Sequence, residues 1–243
     1  DDAEYYFTRV LQQTPDDVET LSDIGALYVE IGEPQQGLLY IQEALRLAPE
    51  HTAALINSGI ALRSLGELQR AAEVLETARS RKPGHPVAIS VLGDVYGEMR
   101  DFRRACDTYR CLKTAFPQEY NEFKIACAWY EYGRELLKQQ QYIQAKEAFV
   151  EALSIQPLFP EAMNTLGAVH VRLNEFDHAR TLFEAVIKSC SLDQGNQKEV
   201  VNAYVNLGYI DNYISDFVSA QKHLLKAVEL DACEAEAYNH LGI

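Results

Sequence analysis

Apolar side chains recur at i, i+3 and i+7 along short stretches of the chain, and the same arrangement returns repeatedly around a glycine. Leu21, Ile24 and Tyr28 surround Gly25; Ile89, Leu92 and Tyr96 surround Gly93; Trp129, Tyr132 and Leu136 surround Gly133; Met163, Leu166 and His170 surround Gly167; Tyr204 and Leu207 precede Gly208. Such spacing is one face of a 3.6-residue helix. A second amphipathic run follows each time. In it Gly37, Ala71, Ala105, Ala145, Ala179 and Ala220 precede, by four residues, a larger apolar group: Ile41, Leu75, Tyr109, Phe149, Phe183 and Leu224. Between the runs stand Gly32, Gly66 and Asn174, residues suited to a left-handed helix end. A proline closes several second runs, because it cannot continue a helix and turns its predecessor away from helical angles. Pro86 and Pro160 instead fall at the favoured first position of the next helix.

Two markers set the period. Pro15, Pro49, Pro83, Pro117 and Pro157 are separated by 34, 34, 34 and 40 residues. Gly25, Gly59, Gly93, Gly133, Gly167, Gly208 and Gly242 are separated by 34, 34, 40, 34, 41 and 34. Glycine inside a helix costs about 1 kcal/mol against alanine, so its return implies close helix approach, with the small residue of the second helix expected to face it.

A helix–turn–helix unit of 34 residues resembles the tetratricopeptide repeat, best at Trp129-x-x-Tyr132-Gly133, Ala145-x-x-x-Phe149 and Pro157. The resemblance covers essentially the whole chain. It implies an all-α fold, a right-handed superhelical solenoid of antiparallel helix pairs. The expected organisation is one array over residues 1–243. It opens with the second helix of an incomplete repeat at 1–17. Six complete repeats follow at 18–51, 52–85, 86–119, 126–159, 160–193 and 201–234, and a further one starts at 235–243. Insertions fall at 120–125, predicted to add helical turns, and at 194–200, a polar stretch predicted as a loop or joint. Both ends stop inside a repeat, which suggests a piece of a longer protein or ends covered by a second copy, a possible homo-oligomer.

Composition narrows the function. The 22 basic and 36 acidic residues leave a net charge of −14. That balance disfavours nucleic acid and anionic membrane surfaces, both of which need clustered Lys and Arg. No stretch approaches the ~18 uncharged apolar residues of a membrane helix. Five cysteines, an odd and sparse count, fit reduced and mostly buried thiols and a cytoplasmic location. No phosphate loop, zinc-type Cys/His spacing or catalytic constellation is found, so neither enzyme activity, cofactor nor metal is expected. His170 and His178 lack a third ligand in the sequence pattern.

The resemblance places first helices on the concave side of the array. On that face the N-terminal repeats put Glu19, Asp23, Glu30, Asp94 and Glu98 against Arg63, an acidic stretch. The C-terminal repeats put there Tyr130, Arg134, Lys138, Asn164, Arg172, Asn202, Asn206, Tyr209 and Tyr213, with Asn57 as an earlier counterpart. Amides can bond a peptide backbone whatever its sequence, and tyrosines supply rigid contact area. The expected partner is a protein or extended peptide, and the expected role a non-catalytic interaction scaffold; the alternative is the substrate-recruiting arm of a larger, glycosyltransferase-like enzyme. Two subfamilies fit poorly. The Lys/Asn/Asn/Lys/Arg clamp for chaperone C-termini meets Ser22, Ala26, Asn57, Val87 and Val91. The asparagine ladder of the O-GlcNAc transferase superhelix meets Asp23, Asn57, Val91, Glu131, Thr165, Asn206 and His240.

Overall fold

The computed structural model describes residues 14–115, 121–190 and 196–242, together with Arg9. Residues 1–8 and 10–13 of the expected opening element, and the segments 116–120 and 191–195, lie outside the described residues. Among those described there are thirteen α-helices and no strand. They are α1 (Val18–Glu30), α2 (Pro34–Leu47), α3 (Thr52–Ser64), α4 (Leu68–Arg81), α5 (Pro86–Glu98), α6 (Phe102–Ala115) and α7 (Glu122–Lys138). After them come α8 (Tyr142–Ile155), α9 (Pro160–Arg172), α10 (Phe176–Ser189), α11 (Gln197–Tyr213), α12 (Phe217–Leu230) and α13 (Ala235–Leu241). The fold is an all-α helical repeat of paired helices.

Each pair is joined by the same tight turn. Gly32, Gly66, Arg100, Gln140, Asn174 and Ser215 all have positive φ, between 59° and 88°. After each, the next backbone N–H donates back to the carbonyl five residues earlier, for example Glu33 to Tyr28 at 2.8 Å and Glu175 to His170 at 2.8 Å. This bond satisfies a carbonyl that the end of the first helix would otherwise leave unpaired. Starts are equally specified. Asp17 accepts from the Thr20 amide at 3.0 Å, and Pro34, Pro86 and Pro160 occupy first-turn positions.

The glycine slot is a close-approach site, but its partner differs from the expectation. A Cβ on Gly133 would lie 2.7 Å from the Phe149 ring, and one on Gly167 would lie 2.5 Å from the Phe183 ring. The crowding residue is therefore the large apolar group, not the alanine four positions before it. Ile41, Leu75, Tyr109 and Leu224 stand in the same relation to Gly25, Gly59, Gly93 and Gly208. In the first pair Gly37 is needed as well, because its own Cβ would sit 2.5 Å from the Gly25 carbonyl.

The helices gather into two compact units, α1–α6 and α7–α13, divided between Asn121 and Glu122. In the first unit Leu21, Ile41, Ala44, Ala54 and Ala61 make one core cluster, and Leu55, Ile56, Ala78 and Ala88 another. Asp94, expected among exposed groove acids, is buried instead. It accepts from the Tyr109 hydroxyl at 2.5 Å and from Arg63 at 2.9 Å, while Arg63 also pairs with Glu98 at 2.6 Å. Burial first, then the Asp94 carboxylate, push the Tyr109 phenol well above the usual tyrosine range.

In the second unit Phe183, Val186, Val200, Ala203, Leu207 and Ile210 share a core. Fully buried Asp211 joins three helices there, accepting from Arg180 at 2.6 Å and bonding His223 Nδ1 at 2.7 Å. Helices α7 and α11 each have 17 residues, where α9 has 13. The extra turn on α7 follows the expectation for that segment. Residues 197–200, expected as loop, are instead the first turn of α11, because Val200 and Val201 continue its apolar stripe into the core. Cys106 and Cys190 are buried, whereas Cys111 and Cys233 are exposed, against the expectation of mostly buried thiols.

Candidate functional site

The first helices of the second unit present a run of polar side chains beside two depressions. The first, of about 310 Å³, is lined by Tyr130 of α7, Asn164 and Thr165 of α9, and Lys198, Asn202 and Asn206 of α11. The second, of about 390 Å³, continues past Arg172 and Tyr209 to His240 of α13. Ala168, Asn206 and Glu236 line both, so the two form one trough across α7, α9, α11 and α13. The lining residues of α9 and α11 run from the flank of the glycine-bearing stripe, at Asn164 and Val205, to the far side, at Thr165 and Asn206.

Aromatic rings stand at both ends. Tyr130 packs against Phe159 at 5.1 Å and Phe149 at 5.8 Å between ring centres, and the Arg134 guanidinium lies 5.7 Å from its ring centre. Burial is the main influence raising the Tyr130 phenol above its ordinary range. Tyr209 meets the His240 ring edge-on at 5.5 Å. Rings already held by neighbours lose little freedom when a ligand docks on them.

The middle of the trough is built on amides. Asn164 is 6% exposed, and its Nδ2 donates to the Glu199 carbonyl at 2.9 Å and to Glu199 Oε2 at 2.7 Å. Its own Oδ1 has no hydrogen-bond partner. Leaving a buried acceptor unmade costs about 1–3 kcal/mol. Asn206 Nδ2 donates to the Asn202 carbonyl at 2.9 Å, which fixes its orientation toward the cavity.

The remaining expected positions fall elsewhere. Arg134 is bonded to Glu131 at 2.8 Å beside the trough. Lys138 is exposed and paired with Glu135 at 3.1 Å. Tyr213 packs on Phe176 at 4.8 Å. Asn57 belongs to the first unit, where it donates to the Ser22 hydroxyl at 3.0 Å. Val205 lines the second depression while packing with Val201 and Ala237 in the core. Trough residues that escaped the sequence reading include Lys198, Glu199, Glu236 and His240. The first two lie in the segment read as a loop, and the last two in the repeat that the chain only begins. Among the described residues one group of three metal-competent side chains converges, His170, Glu175 and His178, on the α9–α10 turn and outside the trough. No helix of the described residues is long and apolar enough to cross a membrane.

Comparison with known proteins adds the following. Residues 121–239 match the family model described as the middle TPR-like domain of cilia and flagella-associated protein 70, and residues 23–86 match a tetratricopeptide-repeat model. No curated protein matches the chain. The C-terminal part of a TPR repeat-containing protein from Cytophaga hutchinsonii is similar with a TM-score of 0.69 at 16% identity, covering 100% of this chain and 94% of its own. YrrB, a TPR protein with an unusual peptide-binding site, is similar at 0.58 and 22% identity, covering 84% of this chain and 98% of its own. MamA from Desulfovibrio magneticus RS-1 is similar at 0.52 and 25% identity, covering 71% of this chain and 94% of its own.

Proposed function

The chain belongs to the tetratricopeptide-repeat family, and from that premise we propose that it is a non-catalytic scaffold whose second unit captures an extended peptide segment of a partner protein. The observation that carries the reading is the Asn164 acceptor, buried without a donor beside a trough of about 310 Å³. A backbone N–H drawn toward it as the surrounding side chains adjust would gain a bond that the free protein lacks. Asn202 and Asn206 add amides along the same line, and Tyr130 and Tyr209 bracket it. Contact through main-chain groups with aromatic brackets at either end suits an extended segment better than a folded surface.

Charge refines the choice of partner. Glu161, Glu199 and Glu236 line the trough with Lys198 and Arg172. A peptide of mixed charge fits that lining better than a polyanion, and the chain's net charge of −14 adds to the repulsion of acidic partners. YrrB, which shares the fold, carries a peptide-binding site. The family model matched by residues 121–239 is named for a cilia- and flagella-associated protein, and the proposed partner is accordingly a component of such an organelle.

A random peptide library displayed on phage, selected on the 243-residue chain, provides ligands for titration calorimetry. The variant Asn202→Ala with Asn206→Ala is expected to weaken the selected peptides at least about tenfold, roughly 1.4 kcal/mol, with the helical circular-dichroism signal unchanged. Equal affinity in the folded variant would contradict the placement.

A further inference from the structure

We propose that the turn of the α9–α10 hairpin is a divalent transition-metal site, with His170, Glu175 and His178 as its protein ligands. Three elements bring them together within nine residues of sequence. His170 ends the buried stripe of α9, Glu175 precedes the first residue of α10, and His178 lies on the first turn of α10. One ligand atom from each side chain lies within 4.8 Å of the other two. His170 Nδ1 is 2.5 Å from Glu175 Oε2, and the imidazoles stack with ring centres 5.3 Å apart and planes 20° apart.

Metal–ligand bonds near 2.0–2.1 Å place tetrahedral donors on the order of 3.3 Å apart. To reach that spacing the His170–Glu175 pair opens from 2.5 Å as the ion replaces their hydrogen bond, and the wider separations, up to 4.8 Å, close. His178 is exposed and can turn toward the pair, while His170 is buried and already aimed at Glu175. Two imidazoles and one carboxylate form a borderline donor set, suited to Zn²⁺, Co²⁺ or Ni²⁺ and poorly suited to Ca²⁺ or Mg²⁺. Three protein ligands with a solvent-facing side leave the fourth position to water.

Lys146 acts on the site in two ways. Its ammonium donates to both Glu175 oxygens at 3.0 Å, which fixes the carboxylate, and its charge opposes a bound cation. The ion arrangement consistent with both is monodentate, with Oε2 on the metal and Oε1 kept by Lys146. That balance predicts weaker binding than at a closed structural zinc site with four protein ligands. The position of His170 is itself informative. The matching slot holds Tyr28 and Tyr96 in the first unit, so an aromatic ring fits here without a ligand atom.

The test uses the full 243-residue chain with the exposed thiols removed by Cys111→Ser and Cys233→Ser. Zn²⁺ is titrated against a chromophoric chelator, and Co²⁺ is followed by its visible d–d absorption. One ion per chain is expected, with a tetrahedral Co²⁺ spectrum. His178→Ala, at an exposed position, and His170→Tyr, which restores the slot's aromatic ring, should each weaken Zn²⁺ at least about tenfold. Absence of zinc uptake, or uptake unchanged in the folded His178→Ala variant, would reduce the trio to an ion-paired turn and overturn the assignment.

Discussion

Six residues carry the turns between paired helices in left-handed conformation, and only two of them, Gly32 and Gly66, are glycines. Arg100, Gln140, Asn174 and Ser215 adopt the same angles, at a penalty of roughly 1–2 kcal/mol for a residue bearing a Cβ, asparagine less than the others. This is why half of the turns were legible in the sequence and half were not: Gly and Asn announce a left-handed position, while Arg, Gln and Ser do not. The geometry is imposed instead by the helices on either side and by the returned backbone bond, such as Asp216 to Asp211 at 2.8 Å. Ser215→Gly should therefore stabilise the protein by about 0.5–1 kcal/mol, read as a rise in the urea midpoint. A fall would mean that the serine side chain contributes more than its backbone strain costs.

Among the elements, the pairing of each first helix with its second was legible because a glycine and a large apolar residue recur together. The identity of the crowding group was not, since sequence alone shows two residues, one small and one large, on the same stripe of the second helix. Helix α5 offers a paired test. A Cβ on Gly93 would lie 2.8 Å from Tyr109 Cδ1 and Cζ, whereas one on Gly97 would meet nothing within 4 Å. Gly93→Ala should destabilise by about 1–3 kcal/mol through overpacking. Gly97→Ala should stabilise by up to about 1 kcal/mol through helix propensity. Equal effects in chemical denaturation would remove the close-approach explanation. The lengthened α11 was hidden for a related reason. Its Gln197-Lys-Glu opening is polar because two of its side chains, Lys198 and Glu199, face the trough rather than the core.

For the whole molecule, the repeat architecture was readable from period and glycine alone, because each helix pair repeats the same local packing problem. The candidate site was readable only as a face. Which amides share a cavity depends on how α7, α9, α11 and α13 stack, and the orientation of Asn164 that leaves its Oδ1 without a partner depends on Glu199, drawn from the helical turn read as loop. Function by capture of an extended peptide makes a sided prediction. The trough face is lined by Thr165, whereas Lys222 lines a separate cavity of about 410 Å³ between α10, α11 and α12 on the other side of α11. The decisive measurement is the calorimetric affinity of one library-selected peptide for the wild type, Thr165→Arg and Lys222→Glu. The account predicts at least about a tenfold loss with Thr165→Arg, roughly 1.4 kcal/mol, and an unchanged constant with Lys222→Glu. The reverse order, or no loss at Thr165, would contradict it.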